Sequence, residues 1–199
     1  MERCDWTSKN WQSKSIILID EDIIVYDNFI STEYHEQIQN LVARPSFNWT
    51  YHQNISSQNK DNKEYFGFSH NLFDANMEIW FSEHSDKLKL LISEIQKTAN
   101  CSKVLRARLD MTLYNEKKLI HEPHIDFIQH KNVSAIYYLN NSDGDTIIYN
   151  EKELHGKYTI KKKISPKANR LVLFKGEFVH TGSSPSNHNN RILINSNYN

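Results

Sequence analysis

The spacing of apolar residues changes along this chain, and the change divides it into two parts. In the first part, Ile16–Ile19 and Ile23–Tyr26 are short β-branched runs on either side of Asp20-Glu21-Asp22, which reads as a hairpin. Tyr34, Ile38, Leu41 and Val42 then recur at i, i+4, i+7 and i+8. That spacing predicts an amphipathic helix with Ser31 as N-cap, Glu33 in its first turn and Pro45 closing it. Leu88, Leu91, Ile92 and Ile95 form a second apolar stripe, inside a helical stretch expected over 74–99 with a break near 82–85. Between the two helices the aromatics Phe47, Trp49, Tyr51, Tyr65, Phe66 and Phe68 surround a polar centre from Gln53 to Glu64. Its length and polarity predict a mobile surface loop over 51–66, read equally as an ordinary excursion or as a cover over a substrate.

From residue 103 the period falls to two. Leu105, Ala107, Leu109, Met111 and Leu113 alternate with Arg106, Arg108, Asp110, Thr112 and Tyr114. Such a strand packs its apolar face on the helices and turns its polar face to a wet cavity or to solvent. Further β-type runs are expected over Ile120–Ile128, Val133–Leu139, Thr146–Tyr149, Lys157–Ile164, Arg170–Phe174, Glu177–Thr181 and Arg191–Asn197. Turn signals at 140–144, 165–166, 175–176 and 182–185 separate them, and short strands at this spacing argue for a sandwich or jelly roll. The expected architecture is therefore mainly β with supporting N-terminal helices (α+β). We expect a single domain over 1–199, with strands and supporting helices over 15–102 and a β-rich catalytic half over 103–199. Residues 1–14 read as a loosely attached tail.

Composition narrows the function classes. Lys plus Arg and Asp plus Glu stand at 24 each, so no net field draws the chain towards nucleic acid or an anionic membrane surface. No apolar run reaches the roughly 18–20 residues that span a bilayer, and the N-terminal residues hold no apolar signal core. Two cysteines, Cys4 and Cys101, form no disulfide framework, which fits a reducing compartment. The expectation is a soluble, cytoplasmic protein.

The chemistry concentrates in Leu119-Ile-His-Glu-Pro-His-Ile-Asp-Phe127. On an extended segment His124 and Asp126 leave the same face, where an imidazole and a carboxylate can take adjacent corners of a metal's coordination sphere. His180, in Phe178-Val-His-Thr-Gly182, is the candidate third ligand. Two histidines and one carboxylate with open positions are the facial triad of non-haem Fe(II) oxygenases. Arg191 opens the last strand on the same face as Leu193, Asn195 and Asn197, and its planar fork suits a carboxylate. His121 and His124 are three apart with Pro123 between them, which does not fit the helical i, i+4 pair of a zinc protease. Arg106 and Arg108 are read as surface charges in preference to substrate contacts.

The order of these pieces resembles the 2-oxoglutarate- and Fe(II)-dependent dioxygenases, specifically their prolyl-4-hydroxylase-like branch. The matching segments are Leu113-Tyr114, His124-Ile-Asp126, Ile136–Asn140, Asp143-Gly-Asp-Thr146, Arg170–Phe174, Val179-His-Thr-Gly182 and Arg191–Asn195. The resemblance implies a double-stranded β-helix (jelly-roll) core. It implies Fe(II) on His124, Asp126 and His180, and 2-oxoglutarate chelating the iron with its distal carboxylate on Arg191. Tyr138, the inward-facing member of Tyr137-Tyr138, would assist Arg191, and Tyr114 would contact the cosubstrate. The implied cofactors are Fe(II), 2-oxoglutarate as cosubstrate and O2, with room for ascorbate. Since related halogenating enzymes lack the carboxylate ligand, Asp126 favours hydroxylation.

The implied activity is hydroxylation of a peptidyl or protein side chain, coupled to decarboxylation of 2-oxoglutarate to succinate and CO2. Two departures weaken transfer of a prolyl substrate. Residues 115–120 lack the glycine-rich turn common in prolyl hydroxylases, and the Gly-Gly-x-Thr motif of many members reads Gly144-Asp-Thr146. A nucleobase or a free amino acid as substrate, and a non-catalytic jelly-roll binding module, remain the alternatives; the partner is thus a protein, a peptide or a small molecule.

Overall fold

Strand alternation sets the architecture, because each central strand has to satisfy two different neighbours. The computed structural model describes residues 15–55, 63–77, 79–80, 85–127 and 131–199. The elements in chain order are β1 (Ser15–Ile19), β2 (Ile23–Asp27), α1 (Thr32–Val42), β3 (Thr50–His52), β4 (Gly67–Asp74), β5 (Ile79–Trp80) and α2 (Ser85–Thr98). There follow β6 (Val104–Leu113), β7 (Val133–Tyr138), β8 (Thr146–Tyr149), β9 (Ile160–Ile164), β10 (Arg170–Lys175), β11 (His180–Gly182) and β12 (Asn190–Tyr198). The larger sheet runs β1-β2-β10-β7-β12-β6-β4-β3, with β5 hairpinned onto β4. The smaller sheet runs β11-β8-β9. All these pairings are antiparallel, as a jelly roll requires.

One face of the larger sheet is covered by the helices. Ala107 and Leu109 of β6, Ala135 and Tyr137 of β7, and Ile194 of β12 pack there with Ile38, Leu41, Leu88, Leu91, Ile92 and Ile95 of α1 and α2. Each such fully buried Leu or Ile stabilises the fold by about 1.5–3 kcal/mol relative to exposure. Tyr137 enters this core with its hydroxyl satisfied. His35 Nδ1 lies 2.6 Å from the hydroxyl, which donates to Asn169 Oδ1 at 3.0 Å. The other face of the sheet meets the smaller sheet through Ile136, Tyr138, Val172, Phe174 and Leu193 against Ile148, Ile164 and Phe178. The period of two therefore separates Tyr137 from Tyr138 as expected.

The first helix matches its reading, since Ser31 caps it by accepting a hydrogen bond from the Tyr34 amide at 3.2 Å. The region around it does not. The stretch 46–74 contributes β3 and β4 to the larger sheet, and residues 75–77 form a turn and 79–80 form β5 where a helix was expected. In Gly67–Asp74 the buried positions include Ser69 and His70, so the strand carries little apolar signal. The centre of the expected loop 51–66 (residues 56–62) and the tail 1–14 lie outside the described residues. Over its described residues, 120–127, the expected strand Ile120–Ile128 forms two isolated bridges, Ile120 to Ser183 and His124 to His180. Pro123 lacks the amide a continuous ladder would need. Cys101 is disulfide-bonded, whereas the sequence reading expected no disulfide framework. No helix among the described residues is long and apolar enough to cross a membrane.

Candidate metal centre

The His124–His180 bridge brings the two histidines together. Each backbone amide donates to the other's carbonyl at 2.9 Å, and the imidazole centroids lie 4.6 Å apart. Asp126, two residues on, places its carboxylate between them, 3.8 Å from His124 Nε2 and 3.7 Å from His180 Nε2. One ligand atom from each of the three lies within 4.8 Å of the others, a spacing that could hold one metal ion.

Backbone groups set the tautomers. His124 Nδ1 lies 3.0 Å from the Glu122 carbonyl, and His180 Nδ1 lies 3.1 Å from the Phe178 carbonyl. A carbonyl only accepts, so each Nδ1 carries the proton and each Nε2 keeps its lone pair for the shared centre. His180 is buried, and burial together with the neighbouring His124 pushes it down to about 4, which keeps it neutral and able to ligate. Asp126 is equally buried, and burial alone would push it up. The neighbouring His180, the Arg106 guanidinium and His124, together with the Asn197 hydrogen bond, instead hold it far below the usual carboxylate range. Arg106 Nη2 donates to Oδ1 at 2.7 Å and Asn197 Nδ2 to Oδ2 at 2.9 Å, while Asn197 also donates to Ser134 at 3.0 Å. The donor set and its supports fit Fe(II) with open positions.

The centre opens into a cavity of about 380 Å³, and Arg191 lies in its wall. Register puts it there: Arg191 stands opposite Thr112 of β6, with Leu193 opposite Asp110 and Asn195 opposite Arg108. Arg191 is 6% exposed. Its Nη2 donates to Thr146 Oγ1 at 2.7 Å, and the Tyr138 hydroxyl donates to the same oxygen at 2.6 Å. The guanidinium carbon lies 5.7 Å from the Tyr138 ring centroid. Two glycines make room for it. A Cβ on Gly182 would stand 2.9 Å from Arg191 Nη1, and one on Gly144 would stand 2.9 Å from Arg191 Cδ and 2.5 Å from the Ser183 carbonyl oxygen. Among the described residues no carboxylate lies within ion-pairing distance of Arg191. A buried cation without a counter-ion, facing a cavity, is a site for an anion.

Tyr138 stands behind Arg191 and shares Thr146 Oγ1 with it. Tyr114 stands elsewhere. It follows the end of β6, is 51% exposed and takes no part in the cavity wall. Arg106 and Arg108 are corrected in the opposite direction, since both line the cavity and neither is a surface charge. Arg108 makes a two-point pair with Asp110, at 2.7 Å from Nε and 3.1 Å from Nη2. Burial pushes the Asp110 carboxyl up against the pull of Arg108. Thr146, Asp110, Thr112, Asn195 and His121 are cavity residues that the sequence reading did not assign. The alternation of β6 carried the signal for Asp110 and Thr112, and Gly144-Asp-Thr146 carried it for Thr146. The described ends of the expected loop flank the same opening: Asn54 and Ile55 line it, and Tyr65 packs edge-on against His121.

The family model for the 2OG-Fe(II) oxygenase superfamily matches residues 109–199. A search among curated proteins finds no match. Among solved structures, the chain is similar to SnoN, the non-haem α-ketoglutarate-dependent epimerase of nogalamycin biosynthesis. That likeness has a TM-score of 0.64 at 11% identity, over 89% of this chain and 78% of that one. It is also similar to a prolyl hydroxylase from Trichoplax adhaerens in complex with a hypoxia inducible factor peptide fragment, at TM-score 0.60 and 17% identity over 89% and 83% of the two chains. A Pseudomonas putida prolyl-4-hydroxylase follows at TM-score 0.59 and 11% identity, over 89% and 92%. These likenesses establish the jelly-roll fold.

Proposed function

We propose that this chain is a member of the 2OG-Fe(II) oxygenase superfamily, whose model matches residues 109–199, and that it hydroxylates a peptidyl or protein side chain, with Fe(II) held by His124, Asp126 and His180. The observation that carries this reading is the pairing of two features in one cavity. Three metal-ligating side chains stand in its wall, and so does a buried arginine with no carboxylate partner among the described residues.

Bound there, Fe(II) with 2-oxoglutarate and O2 supplies the oxidising power: one oxygen atom enters a substrate C–H bond, the other enters succinate, and CO2 leaves. The chain's own contribution is positioning. Glu122 and Phe178 carbonyls fix the imidazoles, while Arg106 and Asn197 fix the Asp126 carboxylate by holding one oxygen each. Arg191, steadied by Thr146, pairs with the distal carboxylate of the cosubstrate, and Tyr138 backs that contact from the core. In this reading residues 15–102 buttress the sheet, and residues 103–199 carry the site, within one catalytic unit.

A peptide substrate is supported by the likeness to the hydroxylase captured with a peptide fragment. A small-molecule substrate is the second reading, supported by the comparably strong likeness to SnoN, also known in complex with Fe3+, α-ketoglutarate and nogalamycin RO. The test supplies the protein with Fe(II), 2-oxoglutarate and O2 and measures succinate with and without proline-containing peptides. Peptide-stimulated succinate is expected. Failure of 2-oxoglutarate to bind in anaerobic calorimetry with Fe(II) present would overturn the enzymatic reading.

A further inference from the structure

The cavity holds a second polar group that the roles above leave idle. His121 is 8% exposed, yet it lines the cavity, and its ring has an aromatic neighbour, Tyr65, at 5.6 Å with no hydrogen-bond partner among the described residues. Its backbone is pinned: the amide donates to the Gly182 carbonyl at 2.9 Å, and Thr181 Oγ1 donates to the His121 carbonyl at 2.8 Å. Gly182 is the residue whose missing Cβ lets the Arg191 guanidinium lie close. The two groups thus converge on the same strand, β11, and on the same stretch of cavity wall.

We propose that His121 is a second recognition residue for the distal carboxylate of the cosubstrate, donating a ring N–H to that carboxylate alongside Arg191. This inference rests on the cosubstrate reading above. The chemistry suits the position. The ring lines the cavity and has no hydrogen-bond partner among the described residues, so a ligand lying there can accept its N–H. Burial, with Arg191 and His124 adding to it, pushes His121 down to about 3, so the ring is neutral and carries a single N–H donor. A carboxylate held by Arg191 has lone pairs left for that donor. Edge-on packing of Tyr65 then fixes the ring plane without competing for the hydrogen bond.

The test separates the two ends of the ligand. Anaerobic calorimetry with the Fe(II)-loaded protein compares 2-oxoglutarate with oxalate, which chelates a metal but has no distal carboxylate. His121→Phe is expected to weaken 2-oxoglutarate about tenfold, the scale of one charge-assisted hydrogen bond, and to leave oxalate unchanged. His121→Gln, which keeps an N–H donor, is expected to recover most of the loss, and thermal melts establish that both variants fold. Equal losses for both ligands would show that His121 only supports the neighbouring His124, and would overturn the proposal. Unchanged 2-oxoglutarate binding in His121→Phe would overturn it too. Arg191→Met is the control: if that variant also keeps full 2-oxoglutarate affinity, the cosubstrate reading has failed with it, whereas a loss there alone leaves that reading standing.

Discussion

The two faces of the larger sheet do different work, although they are built from the same three strands. On the helix side, β6, β7 and β12 show Ala107, Leu109, Ala135, Tyr137 and Ile194, all buried in one apolar cluster. On the cavity side the same strands show Arg106, Arg108, Asp110, Thr112, Arg191 and Asn195. The residues alternate, so a one-residue slip of register would exchange the faces. The helix face needs only shape and volume, and so it is free to be apolar. The cavity face must hold charges away from bulk water, which it does by pairing Arg108 with Asp110 and Arg106 with Asp126. Stability and chemistry are thereby assigned to alternate positions of each strand, and mutations should sort in the same way.

The largest effect should come from His180→Ala on the cavity side. Titration followed by calorimetry is expected to show Fe(II) affinity reduced beyond the roughly 10–100-fold cost of losing an outer partner, with a melting temperature within a few degrees of the parent. Next comes Leu109→Ala on the helix side. Urea unfolding should show about 3 kcal/mol of lost stability, while the folded protein keeps its Fe(II) and 2-oxoglutarate affinities. A parallel fall in metal affinity would break the division of labour. Arg191→Met should weaken 2-oxoglutarate about 100-fold, some 2.7 kcal/mol, and spare Fe(II); loss of the metal instead would place Arg191 in the wrong role. Tyr137→Phe is the mildest. It removes a hydrogen bond to Asn169 beside His35 and should cost about 1 kcal/mol of stability without touching either ligand, in contrast to any change at Tyr138 one residue away.

Where the chain alternates cleanly, its sequence was readable. The polar faces of β6 and β12, the separation of Tyr137 from Tyr138, and the meeting of His124, Asp126 and His180 all follow from a period of two and one bridge. Reading failed where local pattern and tertiary environment part company. Gly67–Asp74 buries Ser69 and His70, whose polar side chains find partners in His52 and the Asn48 carbonyl, so the strand has no apolar alternation to show. Arg106 and Arg108 looked like surface charges because a sequence cannot tell a wet cavity from bulk solvent. Tyr114 was assigned to the cosubstrate only by the resemblance. In the fold β6 has ended at Leu113, the Tyr114 amide bonds the Asn189 carbonyl, and its side chain leaves for solvent.

Among the described residues the segment carrying His124 and Asp126 meets the edge of the smaller sheet through two isolated bridges, Ile120 to Ser183 and His124 to His180, in place of a continuous ladder. In the proposed centre an ion would clasp that segment to β11 through His180 and act as a removable staple on a frayed edge. Loading should then slow hydrogen exchange of the His124 and His180 amides, and raise the unfolding temperature by mass action as free Fe(II) increases. A chelator should loosen this edge first and leave the helix-covered face of the larger sheet undisturbed.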